Sequence, residues 1–534
     1  MNNRGFGVAL AALFGSGLAA CVGGCDTTYA EYIAPLLDPK NATWNDGGTG
    51  GHDGGTGGNK PDCSGDPSAK NVIDDCGVFA QADATGTTED GTQAHPYKTL
   101  QKAIDNAAGK RVYACASAPF VEAVTIAVGV EMYGGFDCAK GWAWSQDKRS
   151  ALNGPVDAVA LTIGKGATGA RVEGFAVTGA SPGDMKGGGS SIAVAVDDVA
   201  AELVRCDVKA GDAADGVKGQ KPSGTATKGA DAAMPDPMTE NACINAGSVA
   251  GGVAGMTTCD DGMSVGGVGG KGGVTSNGGD GQKGADGSPT DAVKGKGGSG
   301  ADAANDCNDG TKGKSGDAGG AAPGGSVAGD KLLLSGVSSA DVTDGKPGAK
   351  AQGGGGGGGA KSGMFCGGGV DGNGASGGGG GAGGCGGKGG GGGKAGGSSI
   401  AIVSLGTKLV LTGVTLATGK GGNGGGGVTG QAGGAAGAGA FGGASSGQAG
   451  SKPGCKGGDG GLGGDGGPGG GARGGHSIGI AYAKAPAPMP TIKTFTPGTP
   501  GDGGTAGTGA PMTSNGAKGA AAQCWDFGSN AACM

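Results

Sequence analysis

Short apolar islands punctuate a chain that is otherwise small and polar, and inside each island the apolar positions alternate. Val121 to Val130, Val159 to Ile163 and Val172 to Val177 are rich in valine, have period two and are bounded by glycine, which predicts short strands. One stretch departs from this period. Pro96 to Ala108 sets Leu100, Ala103, Ile104 and Ala107 at helical spacing behind a first-turn proline, which predicts a short amphipathic helix.

The islands align on one another. Val172-Glu-Gly174-Phe175-Ala-Val177, Leu203-Val-Arg205-Cys206-Asp-Val208, Leu334-Ser-Gly336-Val337-Ser-Ser339, Leu411-Thr-Gly413-Val414-Thr-Leu416 and Ile492-Lys-Thr494-Phe495-Thr-Pro497 share an apolar, any, small or turn-forming, apolar, any, apolar order. Three carry a second match, at Ser191-Ile192-Ala193-Val194, Ser399-Ile400-Ala401-Ile402 and Ser477-Ile478-Gly479-Ile480. Each unit is then two strands with a bend between. A unit this small cannot bury its apolar face alone, so the units must stack as a solenoid, and strand units make it a β-helix. The shared position steps by 31, 131, 77 and 81 residues, so after one coil of about 30 the excursions are roughly 100, 50 and 50 residues. Each excursion leaves after a last strand and returns before a Ser-Ile strand. All are expected to emerge at one corner and form one glycine-rich face.

Composition enters through those excursions. Of 534 residues 140 are glycine; residues 351–397 hold 29 in 47 positions and residues 419–475 hold 30 in 57. Such segments have almost no side chains to bury, which favours a disordered region. A second reading stays open: Gly457 to Gly470 repeats with period three, the period of a polyproline-II helix, and glycine on two faces lets such helices pack backbone to backbone as an ordered sheath. Val, Leu, Ile and Phe make only about 13% of the chain, so one large compact enzyme domain is excluded. With 39 basic and 46 acidic residues and a net charge of −7, there is no basic stripe for nucleic acid.

The N-terminus supplies an address. Arg4 precedes an apolar run from Phe6 to Leu18, an export signal too short to predict a spanning helix. Leu18, Ala19, Ala20 and Cys21 resemble a bacterial lipobox, which implies signal cleavage after residue 20, lipidation of Cys21 and a membrane anchor. Val22 follows where an Asp implies inner-membrane retention, so the resemblance favours the outer membrane of a Gram-negative bacterium. Residues 21–61, with Gly-Gly-Thr and Gly-Gly-His repeats, read as a tether. Residues 62–215 are expected to hold the cap and first coils. Residues 216–534 then hold further coils, broken by inserts at about 211–326, 349–397, 419–475 and 498–520.

Beyond Cys21 there are 14 further cysteines, an even number suited to disulfides in an oxidising compartment. Local pairs such as Cys63 with Cys76, Cys243 with Cys259, Cys366 with Cys385 and Cys524 with Cys533 would close short loops. With no Cys-x-x-Cys and three histidines, no zinc or redox site is expected.

Candidate chemistry is sparse. Asp197 and Asp198, with Arg205 and with Arg171 and Asp207 nearby, offer paired carboxylates for acid-base work on a glycosidic bond, or with calcium for β-elimination. Against this, Asp-Asp between two strands is ordinary turn chemistry. Trp142 and Trp144, beside Tyr133 and Phe136, could stack on sugar rings or simply cover the end of the first coils. No other cofactor or metal is expected.

Asp90-Gly91-Thr92-Gln-Ala-His-Pro96-Tyr97-Lys98-Thr99-Leu100-Gln101-Lys-Ala103-Ile104, followed by Tyr133-Gly134-Gly135-Phe136, resembles the opening of bacterial right-handed parallel β-helix proteins of pectin-lyase-like fold. That implies an all-β, right-handed solenoid whose N-terminal helix caps the first coil. Lipobox, tether and glycine-filled coils together resemble glycine-rich surface lipoproteins of myxobacteria-like bacteria. The implied role is a lipid-anchored extracytoplasmic structural or adhesive protein touching polysaccharide or matrix. A polysaccharide lyase or glycoside hydrolase on the same scaffold is the alternative. The acid-bearing and histidine-bearing motifs of the pectin-cleaving hydrolases and lyases are absent.

Overall fold

The computed structural model describes residues 61–183, 187–244, 249–274, 279–340, 342–367 and 369–533. The signal segment, the lipobox with Cys21 and the tether lie outside the described residues. Residues Pro61–Met534 form one compact unit.

The described chain is nearly all β, with one α-helix. Three sheets are built from strands that the chain visits in turn. The first contains Arg111–Cys115, Glu131–Asp137, Ala170–Glu173, Ala201–Val204 and Leu409–Thr412. The second contains Ser150–Asn153, Phe175–Gly179, Asp207–Ala210, Thr415–Ala417 and Thr494–Thr496. The third contains Leu161–Ile163, Ser191–Val196, Ser399–Ser404, Ser477–Tyr482 and Ala521–Asp526. Pairing among these strands is parallel, and the aligned islands up to residue 417 and the three Ser-Ile strands keep the expected register, with Val172 beside Leu203 beside Leu411 and Ser191 beside Ser399 beside Ser477. Val172, Leu203 and Leu411, with Val194, Ile402 and Ile480 of the third sheet, lie in the main core, and full burial of each large aliphatic side chain contributes about 2 kcal/mol. The aligned bend is the left-handed residue joining first sheet to second: Gly174 at φ 74°, Arg205 at φ 49° and Gly413 at φ 63°.

Three expectations are corrected. The island at Leu334 is not a coil. Lys331–Leu333 and Gly336–Ser338 form an antiparallel hairpin whose Leu332, Leu334 and Val337 cover the outward-facing ladder Ile192, Ile400 and Ile478 of the third sheet. Ala201 therefore pairs directly with Leu409, and one excursion, not two, separates those coils. The last unit pairs Phe495 with Leu416, two residues off the sequence alignment, a slip that period two absorbs without turning any side chain over.

The helix is shorter than predicted. It spans Leu100–Asp105, Thr99 is its N-cap, and Pro96 lies outside it. Its first-turn amides are met from across the stack: Glu122 accepts from Leu100 at 2.7 Å and from Gln101 at 3.1 Å.

The excursions do leave at one corner, after second-sheet strands ending at 210, 417 and 496, and return to third-sheet strands beginning at 399, 477 and 521. Their described residues are not disordered. The sheath reading holds, and twelve extended rods lie side by side with inter-rod hydrogen bonds every third residue, the repeat of a polyproline-II helix. Rods 342–360, 374–398 and 454–476 touch one another at the centre. Rods 211–233, 249–255, 266–273, 279–288, 295–301, 308–325, 514–520, 498–508 and 418–443 close a ring around them, each bonded to the next and the last to the first.

Residues 354–359 show why the centre must be glycine. Gly354, Gly355 and Gly356 donate to Gly381, Thr311 and Ala285 in three different rods, and their carbonyls accept from Gly267, Gly458 and Gly298 in three more. All six neighbours are satisfied by backbone alone. A Cβ on Gly354, Gly355 or Gly356 would overlap the carbonyl of Gly458, Lys296 or Val268 respectively. Glycine density follows depth. Unbroken glycine at 353–359 has six neighbours, whereas residues 457–468, lying mostly beyond the ends of rods 498–508 and 514–520, read Gly-Gly-X with Asp459, Leu462 and Asp465 exposed.

Six disulfides join the described residues. Cys63 with Cys76 and Cys524 with Cys533 are as expected; Cys115 pairs with Cys138. The expected local pairs Cys243–Cys259 and Cys366–Cys385 are overturned: Cys243 pairs with Cys366, Cys259 with Cys385 and Cys307 with Cys455. Rod packing brings residues more than a hundred positions apart closer together than sequence neighbours, so these three bridges tie the loops of the sheath to one another. Cys206 is unpaired and buried.

Candidate functional site

The first sheet's outward face carries a group of charged and aromatic side chains. Parallel register puts Glu131 beside Arg171 and Arg171 beside Glu202, so charges of alternating sign run up the stack. Arg111 starts the ladder, its Nε 2.8 Å from Glu131 Oε2. At the centre lies Glu173, whose side chain is 3% exposed. Arg171 reaches its Oε2 at 2.6 Å and also grips Glu202, while Arg205 reaches its Oε1 at 2.6 Å. Burial works against the Arg171 charge, but the hydrogen bonds and charges of Glu173 and Glu202 outweigh it and hold the guanidinium more firmly protonated than usual.

Arg205 is positioned by strain. It occupies the left-handed bend that Gly174 and Gly413 fill on neighbouring coils, a conformation that costs a non-glycine residue about 1 kcal/mol. From there its guanidinium lies 4.7 Å from the centre of the Trp144 ring and donates to the Gln146 carbonyl at 2.8 Å.

Of the residues singled out from sequence, Arg205 meets Trp144 and shares Glu173 with Arg171, but Asp197 and Asp198 are not part of that group. Asp197 and Asp198 form the turn between Ser191–Val196 and Ala201–Val204, where the Asp198 amide donates to Asp197 Oδ1 at 2.8 Å. Arg205 lies beyond the far end of Ala201–Val204, a strand roughly 13 Å long. The carboxylate pair therefore serves a turn and does not face the arginine. Asp207 sits 3.6 Å from Arg149 on the second sheet. Trp142 is buried against Phe79 and Phe136 and cannot stack on a sugar. Trp144 is half-buried, its indole N–H bonded to the Gly134 carbonyl and one ring face taken by Arg205. Leu18, Ala19, Ala20 and Cys21 are outside the described residues.

The acids that do meet the arginines, Glu173 and Glu202, were missed. The alignment of Val172 with Leu203 already set Arg171 opposite Glu202, so register was the available signal. Chemically the group is a neutralised clamp: both Glu173 oxygens are held by guanidinium, which leaves no carboxylate aimed at a cleft.

A second charged group is fully buried where the sheath meets the third sheet. Arg473 Nε lies 2.8 Å from Asp330 Oδ2, and His476 Nε2 lies 3.0 Å from the same oxygen. His476 Nδ1 accepts from the Ala520 amide at 3.0 Å, which fixes the ring as donor to Asp330. This triad latches the covering hairpin, through Asp330, to rod 454–476. Among the described residues no group of three or more His, Cys, Asp or Glu side chains is placed to hold a metal ion.

No family model and no curated protein matches this chain. Among solved structures, one titled "Pectin methylesterase from Carrot" aligns with 28% of this chain and 60% of its own length, at 13% identity and a TM-score of 0.14. A likeness that slight supports neither a fold nor an activity.

Proposed function

We propose that the three stacked sheets are the faces of a right-handed parallel β-helix, capped at its first coil by the helix Leu100–Asp105, and that this protein is a structural or adhesive element of a bacterial surface. In this reading Cys21 carries lipid, residues 21–61 tether the fold to the outer membrane, and the sheath is the part offered to polysaccharide or matrix. The observation that carries it is the enclosure of three glycine rods by nine others. The sheath's interior is backbone hydrogen-bonded to backbone, so any chemistry it performs lies on its outside. Rod 374–398 extends roughly 75 Å. The sheath disulfides suit an oxidising, extracytoplasmic compartment.

The lyase or hydrolase alternative needs acids grouped on one face. The separation of Asp197 and Asp198 from Arg205 weighs against this alternative. The test is expression with labelled palmitate: label is incorporated by the wild type and lost in Cys21→Ser, and added protease releases the sheath from intact cells. An unlabelled wild type, or a sheath that protease reaches only after lysis, would contradict the proposal.

A further inference from the structure

The rim rods, though joined in a ring, do not cover rod 374–398 along its whole length. Rods 249–255 and 266–273 bond it only near its far end, where Gly374, Gly377 and Gly380 donate to Gly273, Gly270 and Gly267. Closer to the β stack both rim positions are vacant, leaving a trough of about 690 Å³ floored by Gly389 and Gly391 and walled by Val217 to Ser223 and Val342 to Pro347. It runs on past Lys388 and Pro347 into a second hollow of about 480 Å³ that ends at Asp260 and Asp261. From residue 385 to residue 394 the floor spans roughly 28 Å.

The trough has its own chemistry. Lys388 and Lys394 stand at the position in the three-residue turn that Gly379 holds further along, where a Cβ would overlap the Val253 carbonyl of rod 249–255. Lysine thus enters where the rim rod leaves off. Lys218 and Lys221 add two more cations from the wall, and among the described residues Lys218, Lys221 and Lys388 make no ion pair. In the same row of floor amides, Gly383 donates to Ser264 Oγ and Gly392 to Asp344 Oδ1. Gly386 and Gly389 between them have neither N–H nor C=O bonded within the described residues.

We propose that this trough binds a linear polysaccharide bearing carboxylates. The inference rests on the polysaccharide-contact reading above and names its site and ligand class. Lysines at the lip match carboxylates, and a floor offering both donors and acceptors matches hydroxyls, which do both. A chain of sugar acids supplies the two groups together. A bare polyanion leaves the floor carbonyls unused.

The test is calorimetric binding of the full chain to polygalacturonate, neutral dextran and poly-glutamate at 0.15 M salt. The comparison is with Lys218→Gln plus Lys221→Gln plus Lys388→Gln, and with the matching Lys→Arg triple. Polygalacturonate is expected to bind best, the glutamine triple to bind at least about tenfold more weakly, and the arginine triple to recover most of that loss. Polygalacturonate binding that the glutamine triple retains in full would overturn the trough and leave polysaccharide contact standing. Equal affinity for poly-glutamate would overturn the carbohydrate assignment. A wild type that binds no polysaccharide would overturn the contact reading and the trough together.

Discussion

The amide of Ser399 donates to the carbonyl of His476 at 2.9 Å, and Gly396 to Arg473 and Gly393 to Gly470 repeat that bond down the sheath. On the other side of Ser399 the ladder continues as strand pairing, with Ile400 beside Ile478. Strand and glycine rod thus share the same parallel neighbour across the junction. The sheath is an extension of the third sheet and not a set of loops hung on it.

Enclosure predicts a sharp difference between glycines. Gly357→Ala would drive a methyl into the Cys455 carbonyl, whereas Gly329→Ala meets nothing within 4 Å at an ordinary φ. The first is expected to destabilise by about 3 kcal/mol or more through overpacking and lost backbone bonds. The second is expected to be neutral or stabilising by about 0.5 kcal/mol. Denaturant midpoints of the two variants measure this directly.

The buried latch predicts a large loss when one partner is removed. Asp330→Ala leaves Arg473, 2% exposed, without its counter-charge, and should cost about 3 to 5 kcal/mol. Replacing Arg473 and Asp330 together by Met and Leu should cost less than Asp330→Ala alone, since no charge is then stranded. Chemical unfolding of the single and double variants distinguishes the two.

Acid should loosen the same junction. Burial, the largest influence on His476, holds its pKa below the usual imidazole value, against the hydrogen bond to Asp330. The unfolded chain therefore binds a proton first as pH falls. The stability tied to a neutral His476 is fully present above about pH 6.5 and lost progressively below it. His476→Gln should flatten that part of the curve, which melting temperatures between pH 7.5 and 5 would show.

The β stack was largely legible because its code is local. Period two located the strands, and the repeated Ser-Ile pairs set Ser191, Ser399 and Ser477 in their true register. The hairpin at Leu334 imitated a coil because both present alternating apolar residues, and only the partner strand tells them apart. Period three gave the rods but not their arrangement. The depth of each rod is written in glycine density, unbroken at 353–359 and one in three at Gly216 and Gly219, a signal that acquires meaning once neighbours are counted. The disulfides Cys243–Cys366 and Cys259–Cys385 follow from that packing and from nothing nearby in sequence. The Glu173 clamp was hidden because its members are single residues on separate coils.

The central claim is that the glycine segments are an ordered, backbone-bonded sheath, and amide hydrogen exchange resolved to individual segments tests it most directly. Residues 353–359 and 380–385 should exchange orders of magnitude more slowly than a random coil, close to the protection of strand Ser399–Ser404, because their amides are buried and bonded. Exchange of residues 353–359 at random-coil rates, with Ser399–Ser404 still protected, would contradict the account.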